Sequence, residues 1–596
     1  MMTLNNTLND LYQNITENLY YNGTNEVSWL NKIFTNTSFG YRFLERITFT
    51  NFRHSLYLIS PYETTVDSIE KVPNYNIQVS TWWLVLIFIE FIILHLRKED
   101  EKFALNDSIT SISAGMLSQC FKFGGRAIAI FGYVFVWNNF RILELPWDSP
   151  WTWILCLFTQ DFMYYLGHRA VHEAGFFWGL HTIHHSSEYY NFSTALRQAA
   201  IQDAGLALYD ILQAFFIPPP IFLVHRYFSE IFQFWMHTSL IGSLGPLGII
   251  FNTPSYHRVH HGRNAYCIDK NYGGVFIIWD KMFNTFEPER LDDPPIYGLV
   301  TPEKTFNQLY LQFHTIYDIL IKKGLMKDEK GNPIFPGFIN KVKAALFPPG
   351  YFPGSDIYLF FHWFSMKDPS KGIPEIKKPI IKYNPIIPTW IKLYCLLHFI
   401  LLLSIFLHFE YDRDHLGYID FTLKIAFFIT SMQAFGAFFD DKWYANIIEI
   451  FRCIGVIIYY CIKLTDHIGF GPSRIFVLTL FSSSLLMWIG YTFEQLKNRR
   501  KRRISDENGK GHINVISKKE MFLDMEMNVN GINEKMKKKK IASEVDNKKE
   551  TQTVDMFMKE DDEKEYQSNV VKMMDNEKPP DEPIHEKKTN NVKMPE

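Results

Sequence analysis

The sequence predicts an all-α polytopic membrane protein with about nine transmembrane helices, and three observations lead to this fold class. Of its 596 residues, 47% are hydrophobic and 16% aromatic, and these residues gather in blocks. Each block approaches the roughly 20 apolar residues that a helix needs to cross a bilayer. Basic runs follow the first and the last block, and such runs mark the cytosolic side of a membrane.

The N-terminal part, residues 1–77, is polar and is predicted to be a luminal segment. It carries three N-glycosylation sequons, at Asn14, Asn22 and Asn36. The first apolar block, near 80–96, is followed at once by RKEDEK, so the chain enters the cytosol there. The sequons then fall on the luminal side of the membrane.

Three further apolar regions predict the rest of the N-terminal membrane domain. Blocks near 109–136 and 150–167 predict two spans, the second of which ends in the cytosol. Residues 200–250 hold two apolar stretches separated by Pro218–Pro220, and three prolines cannot lie inside a regular helix. This region is predicted to be a helical hairpin, either spanning or re-entrant, that returns to the side it left.

The C-terminal half divides into three segments. Residues 301–385 are mixed in composition and rich in Pro and Gly, which predicts a cytosolic connecting segment. Four apolar blocks over 386–495 predict a four-helix membrane domain, near 388–408, 417–438, 443–462 and 473–493. The tail, 496–596, begins with the basic run KNRRKRR and is too polar to bury a core, so it is predicted to be a disordered, charged cytosolic segment.

The charge pattern and the cysteine spacing argue against a nucleic-acid-binding protein and against a protein built on disulfides or a thiolate metal site. The formal net charge is −2, and the basic runs are short and stand beside acidic ones, so nothing indicates nucleic-acid binding. The six cysteines show no CxxC spacing, which argues against a disulfide framework or a thiolate metal site.

Histidines are concentrated between residues 168 and 261, where ten of the chain's 20 lie. Eight follow one HxxxH and two HxxHH motifs: His168, His172, His181, His184, His185, His257, His260 and His261. Positions three and four apart share a helix face, so each motif presents its rings together. Imidazole suits Fe, Zn, Cu and Ni, and a zinc site needs only three or four ligands. Eight imidazoles therefore predict two metal ions, and a redox-active di-iron centre at the cytosolic face fits best without thiolates.

Three other residues of this region are candidates for supporting roles. Asp161 lies two helical turns before His168 in a predicted span, where a carboxylate is costly and therefore indicates function. It is predicted to accept a ring N–H from a ligand histidine, with a hydrogen bond to neighbouring helices as the structural alternative. His237, in FQFWMHTSL, is either a ninth ligand or a packed core residue, and His225 is predicted to be structural.

The three histidine motifs in a multi-span chain resemble the fatty acid hydroxylase and sterol desaturase superfamily of membrane di-iron enzymes. Longer strings, among them HHSSEYYNFSTALRQ and NTPSYHRVHHGRNAYCIDKNYGGVFIIWDKMFNTF, resemble the ether-lipid monooxygenases of that superfamily. The resemblance is strong over about 75–300 and rests on architecture alone over 385–495. It implies that residues 78–300 form the catalytic membrane domain.

The resemblance also implies an activity and a location. Such an enzyme uses O₂ to hydroxylate the carbon next to the ether oxygen of an alkylglycerol, which yields a fatty aldehyde and a glycerol derivative. Tetrahydrobiopterin supplies the electrons, the enzyme resides in the endoplasmic reticulum membrane among its lipids, and no obligatory protein partner is implied.

Two residues are assigned to the cofactor through this resemblance. Glu173 directly follows His172, and its carboxylate is expected either to bind the N–H groups of a pterin from the water-exposed side or to be a solvated surface group. Tyr164 is expected to line the cavity or to pack as an interfacial aromatic. Glu173 and Asp161 are thus the predicted catalytic residues, and Glu173 and Tyr164 the predicted cofactor-binding residues.

Two alternatives remain at this point. A sterol desaturase or fatty acid hydroxylase would use the same metal centre with electrons from cytochrome b5, and it would lack the last four spans. A metal transporter or chaperone would place histidines inside the spans or in tandem loops, whereas here they collect at one membrane face.

Overall fold

A computed structural model describes residues 43–508 except 202–207, 362 and 465–471. Two of the sequence predictions lie outside the described residues. They are the glycosylation sites at Asn14, Asn22 and Asn36 and the disordered tail beyond residue 508.

The described chain is mostly helical. Its main helices before the C-terminal domain are α1 (Tyr75–Leu96), α2 (Leu105–Phe140), α3 (Pro150–Glu173), α4 (Gly175–His185), α5 (Pro219–Phe234), α6 (Pro254–His260), α7 (Gln308–Tyr317) and α8 (Gly337–Leu346). A hairpin of β1 (Ile357–Phe360) and β2 (Trp363–Met366) follows, and then come α9 (Thr389–Asp412), α10 (Tyr418–Phe439), α11 (Ala445–Leu464) and α12 (Pro472–Asn508).

The hairpin corrects the all-α prediction. Its two strands pair antiparallel, with Ile357 opposite Met366. In β2, Trp363 and Ser365 are buried whereas Phe364 is exposed, which is the alternation of a strand with one covered face. The pattern is only four residues long, and this is why composition alone did not predict it.

Five helices in the described part of the chain are long and apolar enough to cross a membrane, namely α1 and α9 to α12. The protein is therefore a multi-pass membrane protein. The blocks predicted as the second and third spans form α2 and α3, whose described residues fall short of the length and hydropathy of a span, although Ile128–Phe140 of α2 is a shorter apolar stretch. The count of nine spans stays a prediction.

The proline-broken region contains a helix that is shorter than a membrane span. Pro219 and Pro220 begin α5 instead of interrupting it, since proline is tolerated in the first turn. The helix has 16 residues, nearly all of them buried. At about 24 Å it is shorter than the roughly 30 Å of a hydrocarbon core, and the helical hairpin, spanning or re-entrant, stays a prediction.

The segment predicted as a connector packs directly on the histidine-bearing helices. Two glycines of α4 permit this close approach. A Cβ at Gly175 would lie 2.7 Å from the carbonyl oxygens of Ala345 and Phe347, and one at Gly179 would lie 3.1 Å from Cα of Ile316. Residues 301–385 therefore cover the site as well as linking two domains.

Candidate metal centre

Three helices bring the predicted histidine motifs together. α3 carries His168 and His172 with ring centroids 5.1 Å apart. α4 ends with the second motif, and α6 carries His257 and His260 with His261 as its C-cap. The start of α6 is fixed locally, because the Thr253 side chain accepts the Tyr256 N–H and Pro254 occupies the first turn.

The rings form two groups of four with one histidine between them. The ligand atoms within each group lie within 4.8 Å of one another, and the groups are His168, His172, His181 and His260, and His184, His237, His257 and His261. The ring of His185 lies 4.7 Å from that of His172 and 4.3 Å from that of His261. His237, for which the sequence left two readings open, thus belongs to the cluster.

Backbone carbonyls fix the protonation of four rings. A carbonyl can only accept, so a ring whose Nδ1 contacts one carries its proton there and leaves the Nε2 lone pair free. The contacts are His168 to Tyr272 at 2.9 Å, His184 to Arg197 at 3.0 Å, His237 to Gln233 at 2.8 Å and His260 to Lys270 at 2.9 Å.

Several ring nitrogens are buried without a hydrogen-bond partner among the described residues. They include Nε2 of His168, His172, His185 and His260 and both nitrogens of His181. Buried polar atoms are rarely left unpaired, and such a group calls for an explanation. Burial also lowers the pKa of His181 and His260 well below the ordinary value, so these rings are neutral at pH 7. Neutral, unpartnered nitrogens facing one another are a donor set for transition metals.

Asp161 acts on a loop instead of a histidine, which corrects the predicted contact. Its carboxylate accepts the backbone N–H groups of Val275 at 2.6 Å and Phe276 at 3.0 Å and the indole N–H of Trp279 at 2.9 Å. Among the described residues no histidine ring donates to it. Asp161 therefore holds the loop whose Tyr272 carbonyl orients His168.

Asp280, which sequence reasoning missed, supports the same loop. It is fully buried and accepts the backbone N–H groups of Tyr272 at 2.8 Å and Gly273 at 2.7 Å. The Thr285 hydroxyl donates to it at 2.7 Å. The sequence does contain a signal, namely a single carboxylate inside the apolar string VFIIWDKMF. That string was used only to establish the family resemblance, and no role was assigned to its carboxylate.

Glu173 does not face water, so the expectation of a water-exposed carboxylate is wrong. It is 6% exposed and accepts Arg169 Nε at 2.9 Å. Its other oxygen accepts the indole N–H of Trp363 at 3.2 Å and the hydroxyl of Ser365. Glu173 thus anchors the β-hairpin to α3, and its binding of a pterin stays a prediction.

A mostly apolar cavity opens on the histidines. His181, His184 and His237 line it. Tyr164 lines it as well, as expected, and its hydroxyl donates to Gln233 Oε1 at 2.6 Å. Apolar side chains from four helices and the segment after the second motif form most of its wall, among them Leu84, Ile112, Met116, Leu196, Phe234, Leu403, Phe406 and Leu407.

A second cavity, with charged residues in its wall, lies next to the cluster. Tyr190, Arg258 and Tyr297 are among the residues that line it. The Tyr190 ring lies 5.7 Å from the ring of His237 and stacks on Tyr297 at 4.7 Å. The second cavity thus lies one aromatic ring, that of Tyr190, away from the histidines.

Comparisons with known proteins agree with this arrangement. A family model described as fatty acid hydroxylase matches residues 153–285, which contain all nine histidines of the cluster. A second, described as the alkylglycerol monooxygenase C-terminal domain, matches residues 391–469, which include α10 and α11 and most of α9. These matches confirm the superfamily resemblance found in the sequence.

Relatives match over most of the chain. An alkylglycerol monooxygenase of Caenorhabditis elegans is 70% identical over 464 residues, which is 78% of this chain and 92% of that protein. The corresponding Homo sapiens protein is 37% identical, covering 69% and 87%, and that of Danio rerio is 36% identical, covering 76% and 97%. No solved structure matches the chain significantly.

Proposed function

The chain belongs to the alkylglycerol monooxygenase family, and we propose that it hydroxylates the carbon next to the ether oxygen of alkylglycerols, with a pair of iron ions and tetrahydrobiopterin. The hydroxylated product is a hemiacetal, which collapses to a fatty aldehyde and a glycerol derivative. Membership of this oxidoreductase family argues against the metal-transport alternative.

The observation that carries the metal part of the proposal is the set of buried, unpartnered imidazole nitrogens. Nitrogen-only ligands exclude Ca²⁺ and Mg²⁺, which prefer oxygen. The two four-histidine groups would each hold one ion, with His185 between them. When bound, two iron ions supply the redox chemistry that activates O₂ and oxidises an unactivated C–H bond.

The protein's own residues orient and enclose the reaction. Backbone carbonyls hold four rings in one tautomer, so their lone pairs are preorganised. The apolar wall of the cavity excludes water, which protects a reactive site from side reactions. Oε1 of Gln198, which also lines the cavity, is buried without a partner among the described residues and supplies an acceptor for a glycerol hydroxyl.

The second cavity, whose wall includes the charged residues Lys102, Arg258 and Glu289, supports a water-soluble electron donor. It reaches the cluster beside Tyr190, whose ring contacts those of His237 and His261 at 5.7 and 5.4 Å. A pterin would approach from this side while the lipid occupies the apolar cavity. Glu173 is retained as a second candidate contact for the pterin.

We also propose that the enzyme lies in the endoplasmic reticulum membrane with the histidines facing the cytosol and the N-terminus in the lumen. Endoglycosidase treatment of the full-length protein is expected to increase its mobility through glycans at Asn14, Asn22 or Asn36. Glycosylation of acceptor sites introduced after residue 503 would contradict this topology.

The activity is tested with labelled alkylglycerol and membranes that contain the full-length protein. Fatty aldehyde is expected only when tetrahydrobiopterin and O₂ are both present. Product formation that ignores the pterin and requires cytochrome b5 would favour the sterol desaturase or fatty acid hydroxylase alternative.

A further inference from the structure

We propose that α9 of the C-terminal domain forms one wall of an alkyl-chain channel, and that a polar cluster at the far end of this channel limits the chain length. The proposal rests on the ether-lipid substrate proposed above. It gives the C-terminal domain a part in substrate selection, in addition to membrane anchoring.

The lining of the apolar cavity follows one face of α5. Arg226, Glu230, Gln233 and Phe234 all line it, and His237 lies just beyond the helix. Spacings of three and four residues place side chains on one helix face. The part of α5 between Arg226 and Phe234 is about 12 Å long at the helical rise of ~1.5 Å per residue. The cavity therefore extends along this helix, away from the histidines.

The opposite wall repeats this spacing on α9. Leu403, Phe406 and Leu407 line the cavity, followed one turn later by Glu410 and Tyr411. These residues belong to the region matched by the alkylglycerol monooxygenase C-terminal domain. An apolar chain lying along α9 would thus pass three apolar side chains and then meet polar ones.

The far end of the cavity is lined by a group that we call the polar plug, which consists of Arg46, Asn76, Arg226, Glu230 and Tyr411. The Arg46 guanidinium lies over the Tyr411 ring at 4.3 Å. The Asn76 amide donates to Glu230 at 3.3 Å, and Arg226 pairs with Glu230 at 2.8 Å.

Contacts on α1 join the two halves of the plug. Arg46 Nη1 donates to the Ile77 carbonyl at 3.0 Å, directly beside Asn76. A methylene chain cannot replace these hydrogen bonds and ion pairs, so displacing the plug would be costly. The plug is therefore the natural end of the apolar section.

The position of the reacting carbon fixes the orientation in which the lipid binds in the channel. The carbon to be hydroxylated adjoins the ether oxygen, so the glycerol must stay close to the histidines while the alkyl chain extends towards the plug. About 12 Å of channel holds at least roughly ten methylene groups, at ~1.2 Å per bond of an extended chain. Side chains near the plug are hence contacted by long alkyl chains and missed by short ones.

The experiment narrows the channel one turn before the plug. In Leu407→Trp, kcat/KM for dodecylglycerol, whose chain is long enough to reach the plug, is expected to fall at least about tenfold, because pocket contacts of this size discriminate by that order. The value for butylglycerol, whose chain ends before Leu407, is expected to change less than about twofold. Leu397→Trp is the matched control, since Leu397 lies on the same helix, is 48% exposed and is not among the cavity-lining residues.

Iron content and elution from size-exclusion chromatography in detergent verify that each variant is folded. If Leu407→Trp does not accumulate, Leu407→Phe should show the same direction with a smaller shift. Equal losses for both lipids, or the same shift in Leu397→Trp, would overturn the channel. Wild-type protein that turns over neither lipid would instead overturn the proposed function.

Discussion

Two buried polar clusters, one in each membrane domain, contain histidine, and they differ in how their polar atoms are satisfied. In the nine-histidine cluster, ring nitrogens are left without partners among the described residues. In the C-terminal domain, by contrast, His398 is bonded through both ring nitrogens, to Arg452 at 3.0 Å and to Ser484 at 3.0 Å.

The C-terminal cluster is a cross-link among four helices. Arg452 and Glu449 of α11 pair at 2.8 Å, and Arg452 also donates to Ser431 of α10 at 3.3 Å. The hydroxyl of Tyr394, on α9, donates to Glu449. Ser484 adds α12 to the network through His398.

The difference separates two uses of polar groups inside a membrane protein. Ionisable groups at membrane depth are expensive and usually functional, but a cluster whose groups bond one another can serve as a structural tie. Free lone pairs that face one another make no stabilising interaction until they bind a ligand. We therefore interpret the first cluster as a metal site. We interpret the second as a structural cross-link between helices, which we call the clasp; it consists of Tyr394, His398, Ser431, Glu449, Arg452 and Ser484.

The largest expected effect comes from removing one metal ligand. His237→Ala should lose iron and lower turnover by more than about a hundredfold, because the loss of a ligand exceeds the 10- to 100-fold typical of its supporting partners. Iron per protein is measured by elemental analysis and turnover with the labelled lipid. His398→Ala, the matched control, should keep its iron. A His237→Ala variant with full iron would remove this residue from the ligand set.

A smaller loss is expected at the loop that orients His168. Asp161→Asn retains the shape of the side chain, but its amide group can no longer accept from all three donors of the loop. Metal affinity should fall about 10- to 100-fold, as is usual for residues that position a ligand. Titration of the metal-free protein with Fe²⁺ measures this. Unchanged affinity would show that Asp280 holds the loop alone.

The sequence predicted what depends on local spacing and missed what depends on distant contacts. HxxxH and HxxHH place rings on a helix face whatever the rest of the chain does, so eight of the nine clustered histidines followed from the spacing alone. His237 lies just beyond α5 and has no histidine three or four residues away, so only folding brings it within reach of His184 and His261.

The sequence indicated that Asp161 and Glu173 support the site, but it did not predict which residues they contact. Asp161 was singled out because a carboxylate at that depth is costly, but its partners lie more than a hundred residues away, at Val275 and Phe276. Ser365 is even farther along the chain from Glu173. The periodicity of a single sequence does not predict contacts between residues so far apart in the chain.

The clasp should affect stability and leave the metal in place. Arg452→Met leaves Glu449 buried without its cation, and breaking a buried pair typically costs about 3–5 kcal/mol. The thermal midpoint in detergent should fall, while iron per folded molecule stays at the wild-type level. Replacing both partners, as in Glu449→Leu with Arg452→Met, should recover much of the loss. Loss of iron in the folded fraction would give the clasp a role at the metal site.

The smallest expected effect distinguishes two roles of Glu173. As the anchor of the β-hairpin, its carboxylate is engaged by Arg169, Trp363 and Ser365 and is 6% exposed. Glu173→Gln keeps an acceptor for the hairpin but loses the charge-assisted bond to Arg169, which is worth about 1.5–3 kcal/mol. The thermal midpoint should therefore fall modestly, and the apparent KM for tetrahydrobiopterin should change less than about twofold. Ser365→Ala removes the same anchor from the hairpin side and should reproduce the loss of stability. If Glu173→Gln raises that KM about tenfold or more while Ser365→Ala leaves it unchanged, the carboxylate binds the pterin itself and the hairpin role is secondary.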